Sequence, residues 1–137
     1  MPERDEQANA YLHEAKTTLE SAQVLFERKP AAFAPQIVKN GYDALEQALS
    51  AGLAARGEDG PKRHHTKIQR YFEPLDERDL ERVAFGWYAR RSDAQYVDFR
   101  GDELSVPSDN FDFKDAEQML IDATSVLDFV EEELQRE

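Results

Sequence analysis

The chain contains no cysteine, which rules out a disulfide framework, a thiolate metal site and a cysteine nucleophile. No apolar run comes near the ~20 residues that a membrane helix needs. The opening residues, Met1-Pro-Glu-Arg-Asp-Glu, carry charge where a signal peptide carries an apolar stretch. These features lead us to expect a cytoplasmic protein without a membrane association. Histidine is scarce, with three residues. His13-Glu14 starts like a zinc-protease helix but continues Ala-Lys-Thr, so the second His is missing and His13 reads as a surface residue. His64 and His65 are adjacent and have no further soft ligand beside them, a poor basis for zinc. Neither a metal nor a cofactor is expected. There is no Gly-Ser followed by paired aspartates, which argues against a nucleotidyltransferase.

Positive charge is also short. Seventeen Lys and Arg stand against 29 Asp and Glu, a net charge of −12. A uniformly acidic surface repels nucleic acid. An acid-rich, lysine-poor surface is also what a salty cytosol favours, and the composition leans towards this halophile-like reading. In molar salt the Debye length falls to about 3 Å, so local charge outweighs the total and an RNA partner stays possible. At 137 residues and 40% hydrophobic content, a single domain over 1–137 with its own core is expected.

Apolar spacing is helical through most of the chain. Leu12, Ala15, Leu19, Ala22 and Phe26 recur every three or four residues from about Asp5 to Arg28, and Pro30 ends that helix. A second helix enters through Pro35 and runs to Arg56. One of its sides carries Gly41, Ala44, Ala48, Gly52 and Ala55, and another Tyr42, Leu45, Leu49 and Leu53, as expected of a central helix. Two interior glycines cost about 1 kcal/mol each, so close approach of a neighbour is the expected compensation. Tyr42 reads either as an amphipathic core residue or as a donor to a ligand.

After the turn at Gly57-Glu-Asp-Gly-Pro61, the segment Lys62-Arg63-His64-His65-Thr66-Lys67-Ile68-Gln69-Arg70 holds four cations and both remaining histidines without an acid. It reads as an anion site at a helix N-terminus, or as a capping box from Thr66 to Gln69 with His65 just before the cap. The short helix should stop before Pro74. Asp76 is then expected to cap a fourth helix on which Leu80, Val83, Ala84 and Trp87 share an apolar face. Arg91 projects onto the same face one turn later. A lone buried charge costs several kcal/mol, so Arg91 calls for a carboxylate, a partner subunit or a phosphate. From Tyr96 to Asn110 the period breaks into a loop with a short hairpin around Gly101, and a last helix is expected over Phe113 to Gln135. Arg100-Gly-Asp102 matches an adhesion tripeptide by chance.

The order of these elements resembles the HEPN family from about Ala8 to Leu134. The resemblance rests on Tyr42-Asp-Ala-Leu-Glu-Gln-Ala-Leu49, on the Pro61…His65-Thr66 approach to the third helix, and on Arg91-Ser-Asp-Ala94-Gln-Tyr96. The last is close to the Arg-x-x-Ala-Asp-Tyr of one large branch. It implies an all-α, up-and-down bundle of four or five helices that dimerises. It also implies a toxin–antitoxin-like setting beside a small nucleotidyltransferase-type partner. Many members are metal-independent ribonucleases marked by Arg, four to six residues, then His. Arg91 matches that Arg, but no His follows at that spacing and Tyr96 stands in its region.

Three readings follow. In the first, Arg91, Arg90, Lys62, Arg63, His64 and Lys67 bind RNA or nucleotide phosphate, with Tyr42 and the Tyr96 hydroxyl contributing. In the second, the protein is a ribonuclease in which Arg91 stabilises the phosphate and Tyr96 or His65 transfers the proton, imidazole doing so readily near neutral pH. The third is a non-catalytic dimeric subunit in which Arg91 pairs with an acid across the interface.

Overall fold

The computed structural model describes residues 2–58, 63–94 and 97–136, with the backbone alone at 2–4, 64, 92–93 and 98–100. Six α-helices occur among them: α1 (Pro2–Arg28), α2 (Ala34–Ala55), α3 (His64–Phe72), α4 (Arg78–Arg90), the single turn α5 (Pro107–Asn110) and α6 (Phe113–Arg136). A 3-10 turn at Arg91–Ala94 and an antiparallel hairpin of β1 (Asp98–Arg100) and β2 (Glu103–Ser105) connect α4 to α5. Gly101 turns the hairpin at φ +65°, a conformation natural to glycine. The bundle is all-α, as expected, and the hairpin lies where the period breaks.

Helix α2 is the centre. It packs against α1, α6, α3 and the 3-10 turn. Its small face from Gly41 to Gly52 and its Tyr42–Leu53 face are both buried by neighbouring elements, while Gln36 and Lys39 keep a narrow strip of the helix in solvent. The two interior glycines receive bulky neighbours. A Cβ at Gly41 would lie 2.6 Å from Met119 Cγ of α6, and one at Gly52 would lie 2.1 Å from Tyr71 Cε1 of α3. The close approach expected at these positions is therefore met by side chains. Ala15 and Ala22 of α1 and Ala116 and Ala123 of α6 are fully buried, so the flanking helices also present small residues to the core.

Helix starts differ from expectation at two places. α3 begins at His64, with Arg63 at its N-cap and no side-chain cap, so Thr66 lies inside the first turn and the Thr66–Gln69 capping box does not form. The amide of Lys67 already donates to the Arg63 carbonyl at 3.0 Å, which commits the Thr66 backbone to the helix. α4 begins at Arg78 with Glu77, not Asp76, at its N-cap; Asp79 and Glu81 supply first-turn acid. A reciprocal cap that the sequence reading did not anticipate opens α6. The Asp115 amide donates to Asp112 Oδ1 and the Asp112 amide donates to Asp115 Oδ2, both at 3.0 Å.

Polar ties fix α4 to α6. Trp87 Nε1 donates to Asp122 Oδ2 at 2.7 Å, and the Arg90 guanidinium meets Asp115 at 3.2 Å. At the other end of α2, Arg56 stacks 4.4 Å above the Tyr71 ring and donates to the Tyr71 carbonyl at 2.8 Å, which pins α3. Among the described residues no helix is long and apolar enough to cross a membrane.

Candidate phosphate-binding site

The α-helical period of α4 stops at Arg90, and the tighter 3-10 turn swings Arg91 towards α2. Its guanidinium lies 5.9 Å from the centroid of the Tyr42 ring and is half-buried. Consecutive side chains on a helix diverge by about 100°, so the neighbouring Arg90 goes elsewhere. It sits 5.3 Å from the Trp87 ring and 4.7 Å from that of Phe111 while paired with Asp115. Arg90, expected beside Arg91 in ligand binding, is thus turned into the α4–α6 seam.

Tyr42 is buried at the base of the site. Its phenol is held far above the usual tyrosine range, first by burial and next by the Glu46 carboxylate one turn along α2; Arg91 pulls in the opposite direction. A phenol so raised stays protonated and serves as a neutral surface for the guanidinium, not as a base. Glu46 in turn pairs with Lys67 of α3 at 2.9 Å, both side chains largely out of solvent. Lys67, expected to meet a ligand, is thereby neutralised within the fold. Tyr88 of α4 stands close enough to Tyr42 to oppose its ionisation.

His65 is exposed on the first turn of α3, its ring 5.0 Å from that of Phe85 and 6.0 Å from that of Tyr88. The residues Arg91, Tyr42, Tyr88 and His65 therefore form a chain of neighbours from the 3-10 turn to α3. Arg63 is exposed at the α3 N-cap. Lys62, Tyr96 and the side chain of His64 lie outside the described residues. On the far side of His65, a groove of about 870 Å3 opens between α3 and α4, floored by Phe72, Leu75 and Phe85 and rimmed by charged side chains.

The sequence reading missed Glu46, Tyr88 and this groove. The first two had signals: Glu46 follows Tyr42 by four residues and Tyr88 precedes Arg91 by three, so each shares a helix face with a residue already singled out. Among the described residues no cluster of side chains has the makings of a metal site.

With this geometry in view, the family comparison is direct: the model of the HEPN domain matches residues 8–133, nearly the whole chain. The chain belongs to the HEPN family. No curated protein and no solved structure matches it. HEPN membership connects the chain to nucleotide- or RNA-related, ribonuclease-like function, and HEPN domains often dimerise. The matched region contains all of the described site, from Tyr42 on α2 to Arg91 after α4.

Proposed function

We propose that this HEPN protein binds the phosphate of RNA or of a nucleotide at a dimer cleft centred on Arg91, within a toxin–antitoxin-like or related defence module. The observation that carries the reading is the state of Arg91. It is half-buried against an un-ionised phenol, and no carboxylate lies within ion-pair distance of it among the described residues. A half-buried guanidinium with no acid beside it among the described residues gains from a phosphate, which its fork can grip through two parallel hydrogen bonds. Arg63 extends the cationic edge at the start of α3, with His65 beside it and Lys62 and His64 next in sequence. Tyr96 adds a hydroxyl close to Arg91 in the chain. A homodimer supplies the second wall of the cleft, and a small nucleotidyltransferase-type protein is the expected partner.

The exposed imidazole of His65 favours a second reading, a metal-independent ribonuclease in which Arg91 stabilises phosphate charge and His65 or Tyr96 moves the proton. One experiment separates the two: cleavage of labelled RNA in low and molar salt, with chelator, by the wild type beside Arg91→Ala. Cleavage by the wild type alone identifies an enzyme. RNA retained without cleavage by the wild type, and released by Arg91→Ala while the dimer persists, identifies a binding module. Dissociation of the dimer in Arg91→Ala overturns both and assigns Arg91 to the interface.

A further inference from the structure

The β1–β2 hairpin is amphipathic, and the bundle leaves its apolar side open. In sequence, Val97-Asp98-Phe99-Arg100 and Glu103-Leu104-Ser105-Val106 each alternate apolar with polar. The register sets Asp98 against Ser105, Phe99 against Leu104 and Arg100 against Glu103, and continued one step outward it sets Val97 against Val106. Paired positions share a face of the ribbon, so all four pairs are matched in kind, two apolar and two polar. A slip of one residue would destroy that match, and the two-residue turn at Gly101-Asp102 holds it. On the apolar side Val97 is 62% and Leu104 55% exposed. Among the described residues neither strand packs to any extent on a helix.

A two-stranded hairpin is marginal in water unless its apolar face is covered. Exposed apolar residues elsewhere stand singly, as Val24 does on α1 between Glu20 and Glu27, and Ile121 on α6 between Glu117 and Ser125, which is ordinary for a protein surface. The hairpin instead offers a face, and that face carries no charge with which to select a charged ligand. A second copy of the chain fits it best. A twofold axis sets one patch against itself, and an apolar patch is its own complement. The surface of a chain with net charge −12 otherwise repels its like. The position agrees as well. Val97 follows Arg91 by six residues, and α5, after the hairpin, packs against the 3-10 turn that carries Arg91. A copy seated on the hairpin thus stands beside the Arg91 site. The hairpin face is smaller than the ~800 Å2 per partner of a standard interface, so it serves as the anchor around which the rest closes.

We infer that two copies of this chain associate through the apolar face of the β1–β2 hairpin, hairpin on hairpin across a twofold axis. The inference rests on the proposed function for the presence of a homodimer and names the surface that makes it. Because the chain has no cysteine, one introduced thiol can cross-link only to its counterpart in a second copy. Leu104→Cys treated with a short bismaleimide should become a covalent dimer, whereas Ile121→Cys, almost equally exposed at 53%, should stay monomeric on a denaturing gel. In sedimentation equilibrium of the full chain in molar salt, where net charge is screened, the wild type should be a dimer. Val97→Lys/Leu104→Lys should weaken it by about a hundredfold or more, since each substitution enters an isologous interface twice, and should leave the helical circular dichroism in place. A monomeric wild type, a dimer that the double variant leaves intact, or equal cross-linking of Ile121→Cys and Leu104→Cys overturns the inference. Should the double variant fail to fold, the cross-linking pair decides. If the hairpin variants leave the dimer whole while Arg91→Ala loses RNA, the hairpin contact falls and the phosphate reading stands. If the double variant is monomeric and still retains RNA as the wild type does, the hairpin contact stands and the dimer cleft falls.

Discussion

The guanidinium of Arg91 lies over the ring of Tyr42, 5.9 Å from its centroid, where the bundle offers it a neutral aromatic surface and no acid among the described residues. Other cations on the same elements are spent differently: Lys67 on Glu46 and Arg90 on Asp115. Arg91, by contrast, has no acid within ion-pair distance among the described residues.

Removing Arg91 should therefore cost little stability. A cation over a ring in a partly exposed setting is worth about 0.5–1 kcal/mol, so Arg91→Ala should move the urea midpoint only slightly while phosphate and RNA retention is lost. Arg91→Lys keeps the charge but not the fork and should bind with intermediate affinity. A loss of several kcal/mol in Arg91→Ala would mark the residue as structural.

Lys67 should behave in the opposite way. Its side chain is 11% exposed and that of Glu46 is 21% exposed, so truncating the lysine removes a nearly buried cation from the Glu46 carboxylate. Lys67→Ala should lose about 2 kcal/mol in urea unfolding. Replacing both partners with apolar residues, Lys67→Met with Glu46→Leu, should recover most of that loss, because neither charge is then kept out of water.

How far the sequence carries depends on the kind of signal. The long helices were legible because Leu12 to Phe26 and Ala116 to Leu134 repeat at helical spacing, and the close packing at Gly41 and Gly52 followed from the cost of glycine in a helix. Arg91 was legible as a charge on an apolar face, but its contact with Tyr42 was not, since it depends on where α4 gives way to a tighter turn. The Thr66 and Asp76 caps failed for a related reason. Capping residues recur throughout polar segments, and tertiary contacts, such as Lys67 reaching Glu46, decide which one starts the helix. The α3–α4 groove is built by two helix faces that only the fold brings together.

Alanine at three glycines should sort by what each new Cβ meets. At Gly52 it would lie 2.1 Å from Tyr71 Cε1, in a ring held by Arg56 at 4.4 Å and by Phe72 at 5.0 Å. Gly52→Ala should lose about 3 kcal/mol from overpacking. At Gly41 the obstacle is the flexible chain of Met119, so the ~1 kcal/mol gain in helix propensity should offset much of the clash. Gly86 is exposed in mid-α4 with nothing within 4 Å, and Gly86→Ala should stabilise by up to about 1 kcal/mol. Urea midpoints of the three variants check the order.

The Asp112–Asp115 cap gives α6 an acid-sensitive start. The Asp115 amide, donating to the Asp112 carboxylate, holds that group below its usual range. A carboxyl lowered on folding adds stability above its unfolded pKa, near 3.9, and the contribution fades as pH falls through the folded value. Asp112→Asn keeps a capping oxygen but cannot titrate. Its stability relative to wild type should rise between pH 5 and pH 2.5 in paired urea titrations, and an unchanged difference would remove the cap from the acid response.

Tyr42 sets the alkaline limit by the reverse linkage. Burial and Glu46 raise its phenol well above the usual value, so the unfolded chain releases that proton first. The stability this group contributes is complete below about pH 10, the ordinary tyrosine value, and is lost progressively as pH rises towards the folded pKa. Tyr42→Phe has no proton to release there. The stability of Tyr42→Phe minus that of the wild type should therefore grow between pH 9 and pH 11 in urea unfolding, whatever the offset at neutral pH. A difference that stays constant across that range would remove Tyr42 from the alkaline response.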